Sequence, residues 1–174
     1  NYMDEFRVFT INNRDFPDPK RMNKYLHDNG FHSVYMIDPG VKVDDNYFVY
    51  KTGKEQNAFV CDIYRNEFHG KVWPGACAFP DFTRPETRTW WSGLYKDFMA
   101  NGIDGIWNDM NEPSVFDGPG GTMPENNIHL GGGNLPIGSH LMYHNAYGRL
   151  MVEASYNGMM AANPSKRPFL LSRS

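Results

Sequence analysis

With 174 residues, 40% of them hydrophobic and 21% charged, the chain is long enough for one domain with a sizeable core and too balanced in composition for a disordered tail. A net charge of −3 and the absence of any Lys/Arg cluster exclude a dedicated nucleic-acid surface, and no apolar run nears the ~18 residues that span a membrane. Two cysteines, Cys61 and Cys77, without a C-x-x-C pair, argue against a thiolate metal site and leave a bridge between them open.

In chain order, the first segment reads as the end of a strand near Tyr2-Met3-Asp4. Asp18-Pro19 then opens a helix, an N-cap followed by proline at the first helical position, and Asn29-Gly30 closes it with a left-handed cap signal. The apolar run 31–37 follows and ends in Asp38-Pro39-Gly40. After a long stretch rich in Gly, Pro and aromatics, Thr83 and Glu86 stand at capping-box spacing. They start a second helix whose stripe is Trp90, Trp91, Leu94, Tyr95 and Phe98 and whose end is Asn101-Gly102. Ile103 to Trp107 is the next apolar run, ending in Asn108-Asp109. A second long loop, 110–139, leads to a third helix over roughly 140–162. Its expected buried set is Leu141, Tyr143, Tyr147, Leu150, Met151 and Ala154, and Asn163-Pro164 ends it. Pro168 to Leu171 is the last run, and Ser172-Arg173 its exit.

Short apolar runs, each fed by a helix, predict buried parallel strands. Long loops after the strands and short joints before them favour a β/α barrel with its site at the C-terminal mouth over a doubly wound sheet. Three runs plus the one near Tyr2 make half of eight. The expected fold is therefore α/β, a partial (β/α)8 TIM barrel with about half of the strands. Residues 1–174 are one fragment of that catalytic domain with no complete second domain, cut from a longer chain that begins before Asn1.

The chemistry gathers at the strand exits. Residues i and i+2 of a strand share a face, so Trp107 and Asp109 point the same way, and Asp109 projects into the mouth one pleat higher. Asp38 leaves the preceding strand, and Glu112 lies just past Asp109. Carboxylates among Trp73, Trp107, Met110 and Tyr35 suit a polyol that reacts through a cationic transition state, which is what glycoside hydrolysis asks of a pair of acids. An acid at a strand exit also serves as a helix cap or an arginine's partner, and Asp38-Pro39-Gly40 is a turn former in its own right. His140 and His144 have the i, i+4 spacing of metal ligands, but no adjacent acid accompanies them and helix packing is the stronger reading. The glycine runs at 118–121 and 131–133 lack the strand and lysine of a phosphate loop.

The run Gly105-Ile106-Trp107-Asn108-Asp109-Met110-Asn111-Glu112-Pro113 resembles the signature of the α-glucosidases of glycoside hydrolase family 31. Ile37-Asp38-Pro39-Gly40, Val72-Trp73-Pro74-Gly75, Phe79-Pro80-Asp81-Phe82, His144-Asn145-Ala146-Tyr147-Gly148 and Ser172-Arg173-Ser174 resemble further segments of that family in the same order. The resemblance implies a retaining double displacement with Asp109 as nucleophile and Glu112 supporting its surroundings. It implies a glucose subsite walled by Trp73, Trp107, Met110 and Ile37, with Asp38 among the binding residues and Arg173 on sugar hydroxyls beside the nucleophile. An oligosaccharide substrate, no cofactor and no metal follow from it, as do no membrane partner and the remainder of the barrel with flanking domains in the full-length protein. The methionine of the motif favours α-glucosidases over α-xylosidases. The family's acid/base aspartate is expected after Ser174, so the isolated chain is expected to lack useful activity. The rival expectations are a non-catalytic sugar-binding module and a half-barrel folding fragment. Linkage preference stays open. So does the compartment, although the glycine-rich 117–133 loop has a bacterial cast that leans toward a bacterial cytoplasm or periplasm.

Overall fold

The computed structural model describes residues 1–174. Helix α1, Pro19–Asp28, starts where Asp18 accepts a hydrogen bond from the Arg21 backbone N–H, and Gly30 takes the left-handed φ of 81° just past its end. Strand β1, Val34–Ile37, follows. Strands β2 (Val41–Lys42), β3 (His69–Val72) and β4 (Gly75–Ala78) form an antiparallel sheet of order β2-β4-β3, with helix α2, Phe48–Glu55, between β2 and β3. Helix α3, Pro85–Met99, leads into strand β5, Gly105–Asn108. The short pair β6 (Ile128–His129) and β7 (Gly138–Ser139) precedes helix α4, His140–Ala162, which feeds strand β8, Phe169–Ser172.

Strands β1, β5 and β8 make one parallel sheet in that order, so each helix-fed strand is laid beside the one before it. The register runs from Val34↔Gly105↔Phe169 to Ile37↔Asn108↔Ser172. One face carries Tyr35, Ile37, Ile106 and Leu170 and packs on the helices. Trp91, Tyr95 and Phe98 of α3 and Tyr147, Met151 and Ala154 of α4 belong to the same core. Phe9 stands edge-on to Trp91, Tyr95 and Phe98 at ring separations of 5.1, 5.0 and 5.5 Å. Helices α3 and α4 meet closely. Tyr95 Oη donates to Ser155 Oγ at 2.8 Å, and Ser92 Oγ donates to the Ala154 carbonyl at 2.7 Å.

The opposite face carries Val34, Met36, Trp107, Phe169 and Leu171, with Val34, Phe169 and Leu171 about half exposed. Helices on one face and apolar side chains on the other are the arrangement of an arc of a β/α barrel, whose inner wall this second face would be.

The two long connections are structured, contrary to the loop expectation. The β3–β4 hairpin turns over Trp73-Pro74, and Gly75 supplies the positive φ of 98° that the tight turn needs. Residues 110–139 lie against it: Phe116 N–H donates to the Lys71 carbonyl at 2.8 Å, and Asp117 accepts from the Lys71 N–H at 2.9 Å. Cys61 and Ile128 exchange both backbone hydrogen bonds, which ties the two connections together. A second small core, with Val72, Cys77, Phe79, Met110, Val115 and Met123, fills the space beneath. Cys61 and Cys77 are both free thiols.

Three sequence expectations need correction. Asp4–Phe6 is a 3-10 turn without ladder bonds, so no fourth strand ends there; the segment is anchored by the Tyr2 hydroxyl on the Met36 carbonyl. The Thr83/Glu86 capping box does not form, because the Thr83 hydroxyl is spent on Asp81 and on the Gly131 N–H, and the cap position falls to Arg84. Leu141 is 64% exposed, since the buried stripe of α4 begins at His140 and Tyr143.

Candidate active site

The parallel register decides what meets at the mouth. Ile37, Asn108 and Ser172 are the last paired residues of β1, β5 and β8, so the next residue of each strand, Asp38, Asp109 and Arg173, falls in one row. The row continues the ladder, with Asp109 N–H donating to the Ile37 carbonyl at 3.4 Å and Arg173 N–H to the Asn108 carbonyl at 3.0 Å. By alternation all three lie on the Met36–Trp107–Leu171 side, the uncovered face of the sheet.

Asp109 is 8% exposed and Asp38 is 9% exposed. Arg173 Nε donates to Asp109 Oδ1 at 2.7 Å, and its Nη2 lies 3.8 Å from Glu112 Oε1. The two carboxylates together raise the affinity of the guanidinium for its proton, with the Asp109 hydrogen bond the larger cause. The other oxygen of Glu112 accepts from Ser114 Oγ at 2.6 Å. Asp38 has no counter-ion in contact, and its Oδ1 is buried with no hydrogen-bond partner. Burial, reinforced by the charges of Asp109 and Glu112, pushes its carboxyl up from 3.8 to about 7, against a smaller opposing pull from Arg173.

The chain leaves β5 sharply. Met110 takes φ 61°, a left-handed value that costs a non-glycine residue roughly 1–2 kcal/mol, and the Glu112–Pro113 peptide is cis. Asparagines hold this bend. Asn108 Nδ2 donates to the Ile37 carbonyl at 3.2 Å, and Asn111 Nδ2 reaches Ser172 Oγ at 3.0 Å and the Gly148 carbonyl at 3.5 Å. Sequence reasoning did not single out either asparagine. Their position inside the motif was the available signal, but their partners are 37 to 71 residues away.

The structure therefore brings together Asp38, Asp109, Glu112 and Arg173, with Trp107 one pleat below Asp109 on the open face. Met110 is buried in the small core beneath the hairpin, its Sδ 3.9 Å from Arg173 Nη2. Trp73 sits at the tip of the β3–β4 hairpin, 55% exposed, stacked on Phe6 at 6.2 Å and edge-on to Phe116 at 5.2 Å. Ile37 has no exposed surface and belongs to the main core on the helix side, so its side chain is not a wall of the mouth; its carbonyl serves the site instead. His140 and His144 are turned toward each other, Nε2 to Nδ1 at 3.1 Å, and no group of three or more His, Cys, Asp or Glu side chains is placed to hold a metal ion.

Comparison with known proteins accords with this geometry. The model of the glycosyl hydrolases family 31 TIM-barrel domain matches residues 1–174. Alpha-glucosidase 2 of Bacillus thermoamyloliquefaciens is 44% identical over 99% of this chain and 22% of its own length. Neutral alpha-glucosidase C of Homo sapiens is 40% identical over 97% of this chain and 18% of its own. Among solved structures, a family 31 alpha-glucosidase from Bacteroides thetaiotaomicron superposes with a TM-score of 0.81 at 53% identity, covering 99% of this chain and 27% of that one. The ER glucosidase II heterodimeric complex gives a TM-score of 0.89 at 38% identity, covering 99% and 19%. The chain thus spans about a fifth to a quarter of the length of the relatives it matches.

Proposed function

The chain belongs to glycosyl hydrolase family 31, as part of its TIM-barrel domain, and from that premise we propose that the protein carrying it is a retaining α-glucosidase in which Asp109 is the nucleophile. The observation that carries the reading is the state of Asp109. It is an almost buried carboxylate at the exit of a barrel strand, and its side-chain hydrogen bond, from Arg173, goes to Oδ1 and leaves Oδ2 for carbon. Similar sequences in proteins named α-glucosidases support the reading.

In this reading a terminal α-linked glucose lies over the Asp38–Asp109–Arg173 row. Asp109 Oδ2 attacks the anomeric carbon as the bond to the leaving oxygen breaks, and a general acid gives that oxygen its proton. The resulting β-glucosyl ester is attacked by water, which loses its proton to the same group, so glucose leaves with its original configuration. Arg173 holds Asp109 aimed during the first step and faces Glu112 with its other arm. Asp38, with an unpartnered buried oxygen, is suited to a sugar hydroxyl, and Trp107 to the apolar face of the ring. The family resemblance assigns the acid/base group to the part of the barrel outside residues 1–174.

The test is made on the full-length protein. A cyclophellitol-type inactivator is expected to label Asp109, and Asp109→Asn to lower kcat by about 10³-fold or more. The 174-residue chain alone is expected to release no glucose from maltose. A label on another residue, or an Asp109→Asn variant within tenfold of the parent, refutes the assignment, and saturable sugar binding without any label points to a binding module instead.

A further inference from the structure

A second set of titratable groups lies behind the mouth, outside the row just described. Asp81 has no exposed surface, yet its carboxylate is saturated: Oδ1 accepts from Thr83 Oγ1 at 2.6 Å and from His129 Nδ1 at 2.8 Å, and Oδ2 accepts from the Leu130 N–H at 2.6 Å. From His129 a line of imidazoles continues. His129 Nε2 meets His140 Nδ1 at 3.0 Å, and His140 Nε2 meets His144 Nδ1 at 3.1 Å. His129 and His140 are fully buried, whereas His144 opens onto a cavity of about 190 Å³ with no apolar lining. Asn111, Glu112, Asn145, Gly148 and Ser174 complete its wall, and Glu112 is the only acid there.

We propose that Asp81, His129, His140 and His144 form a charged relay whose polarity is set at its buried end and which presents an N–H donor to Glu112, the second carboxylate facing Arg173. Each nitrogen–nitrogen contact holds one proton, so the imidazoles cannot choose their tautomers independently. Because Asp81 accepts from His129 Nδ1, that nitrogen carries a proton. A carboxylate this deep is costly without a counter-charge in contact, and the imidazole that can supply one at 2.8 Å is His129. With His129 as the cation, its Nε2–H donates to His140 Nδ1, and His140 Nε2–H donates to His144 Nδ1. The remaining proton of His144 must then sit on Nε2, the nitrogen free of the relay. Burial and the neighbouring imidazoles push His140 down to about 3, which keeps the charge off the middle ring. Of the other orders, a charged His140 is disfavoured by its burial, and those with His129 protonated on Nδ1 alone, whether His144 is neutral or charged, leave no counter-charge in contact with Asp81.

The consequence reaches the mouth in two contacts. Glu112, given a donor from His144 directly or through water, for which the cavity has room, keeps one oxygen toward Arg173 Nη2, and Arg173 Nε holds Asp109. Asp81, His129 and His140 are then positioning residues. This kinetic consequence rests on the proposed role of Asp109, whereas the proton pattern does not.

The experiment uses the full-length protein labelled with 15N-histidine, each ring assigned by single replacement. The expected spectrum shows both His129 nitrogens protonated, and His140 and His144 protonated on Nε2 alone. Asp81→Asn is expected to remove the second proton of His129 and to lower kcat by roughly ten- to a hundredfold through misplacement at the mouth. A parent spectrum with His144 protonated on Nδ1 and bare at Nε2 overturns the relay, and that result stands even if Asp81→Asn fails to fold. Loss of the Asp109 assignment with the histidine pattern intact would remove the α-glucosidase reading and leave the relay.

Discussion

Asp38→Asn tests the electrostatics of the row with a change of almost no volume. In the unfolded chain Asp38 ionises near its ordinary 3.8, and in the fold near about 7, because burial and the charges of Asp109 and Glu112 disfavour a third carboxylate. Between those two values the folded state holds a proton that the unfolded state has released. Stability therefore falls as pH rises from about 4 to about 7, and the cost is complete above 7. At about 1.4 kcal/mol for each tenfold change in proton affinity, the step from 3.8 to about 7 amounts to roughly 4 kcal/mol. Asparagine keeps the shape and removes the ionisation. Urea unfolding of parent and variant at pH 4, 6 and 8 should show little difference at pH 4 and a variant more stable by about 3–4 kcal/mol at pH 8. Carboxylates remote from the row titrate alike in both proteins and cancel in the comparison. A difference that stays constant from pH 4 to 8 refutes the reasoning, because a merely lost or gained hydrogen bond has no such slope. If Asp38 also binds the sugar, KM rises about tenfold in the variant that is more stable, the trade expected of a residue kept for function.

Two further substitutions separate the mouth from the core. A Cβ at Gly148 of α4 would stand 2.9 Å from the Asn111 carbonyl oxygen and 2.7 Å from Ser174 Cβ, so Gly148→Ala should cost about 1–3 kcal/mol in unfolding experiments and lower kcat as the 108–113 bend shifts. Unchanged kinetics would show that α4 does not hold the bend. Ile106→Ala, on the helix face of β5 with no exposed surface, should cost about 2–5 kcal/mol in urea unfolding and leave KM within about twofold, because its side chain points away from the row; a raised KM would place it wrongly.

What the sequence revealed follows the range of each signal. Helices α1 and α4 were legible because their start and stop signals are contiguous: Asp18-Pro19 and Asn29-Gly30 for one, the 140–162 run ended by Asn163-Pro164 for the other. The parallel strands were legible as apolar runs between a helix end and a polar exit. Helix α2 was missed because Gly53 interrupts its pattern, and the structure gives the reason for that glycine: a Cβ there would lie 2.5 Å from the Phe59 ring and 2.9 Å from Trp90. The β3–β4 hairpin was missed because Gly70 and Gly75 break the alternation that marks a strand.

The site divides along the same line. Asp109, Asn111 and Glu112 lie within one motif and Asp38 at a recognisable turn, but nothing local says that Asp38 and Arg173 flank Asp109. That follows only from the parallel register of strands whose exits are 71 and 64 residues from it along the chain. The histidine relay is the extreme case. The i, i+4 pair His140 and His144 reads in the sequence as helix packing, because spacing alone cannot say which way two rings face, and His129, the member that fixes their protons, reaches Asp81 across 48 residues. A short-range pattern can nominate the groups that do chemistry. The groups that fix their protonation and aim are brought in by the fold, Arg173 from the exit of β8 and Asp81 and His129 from the two long connections.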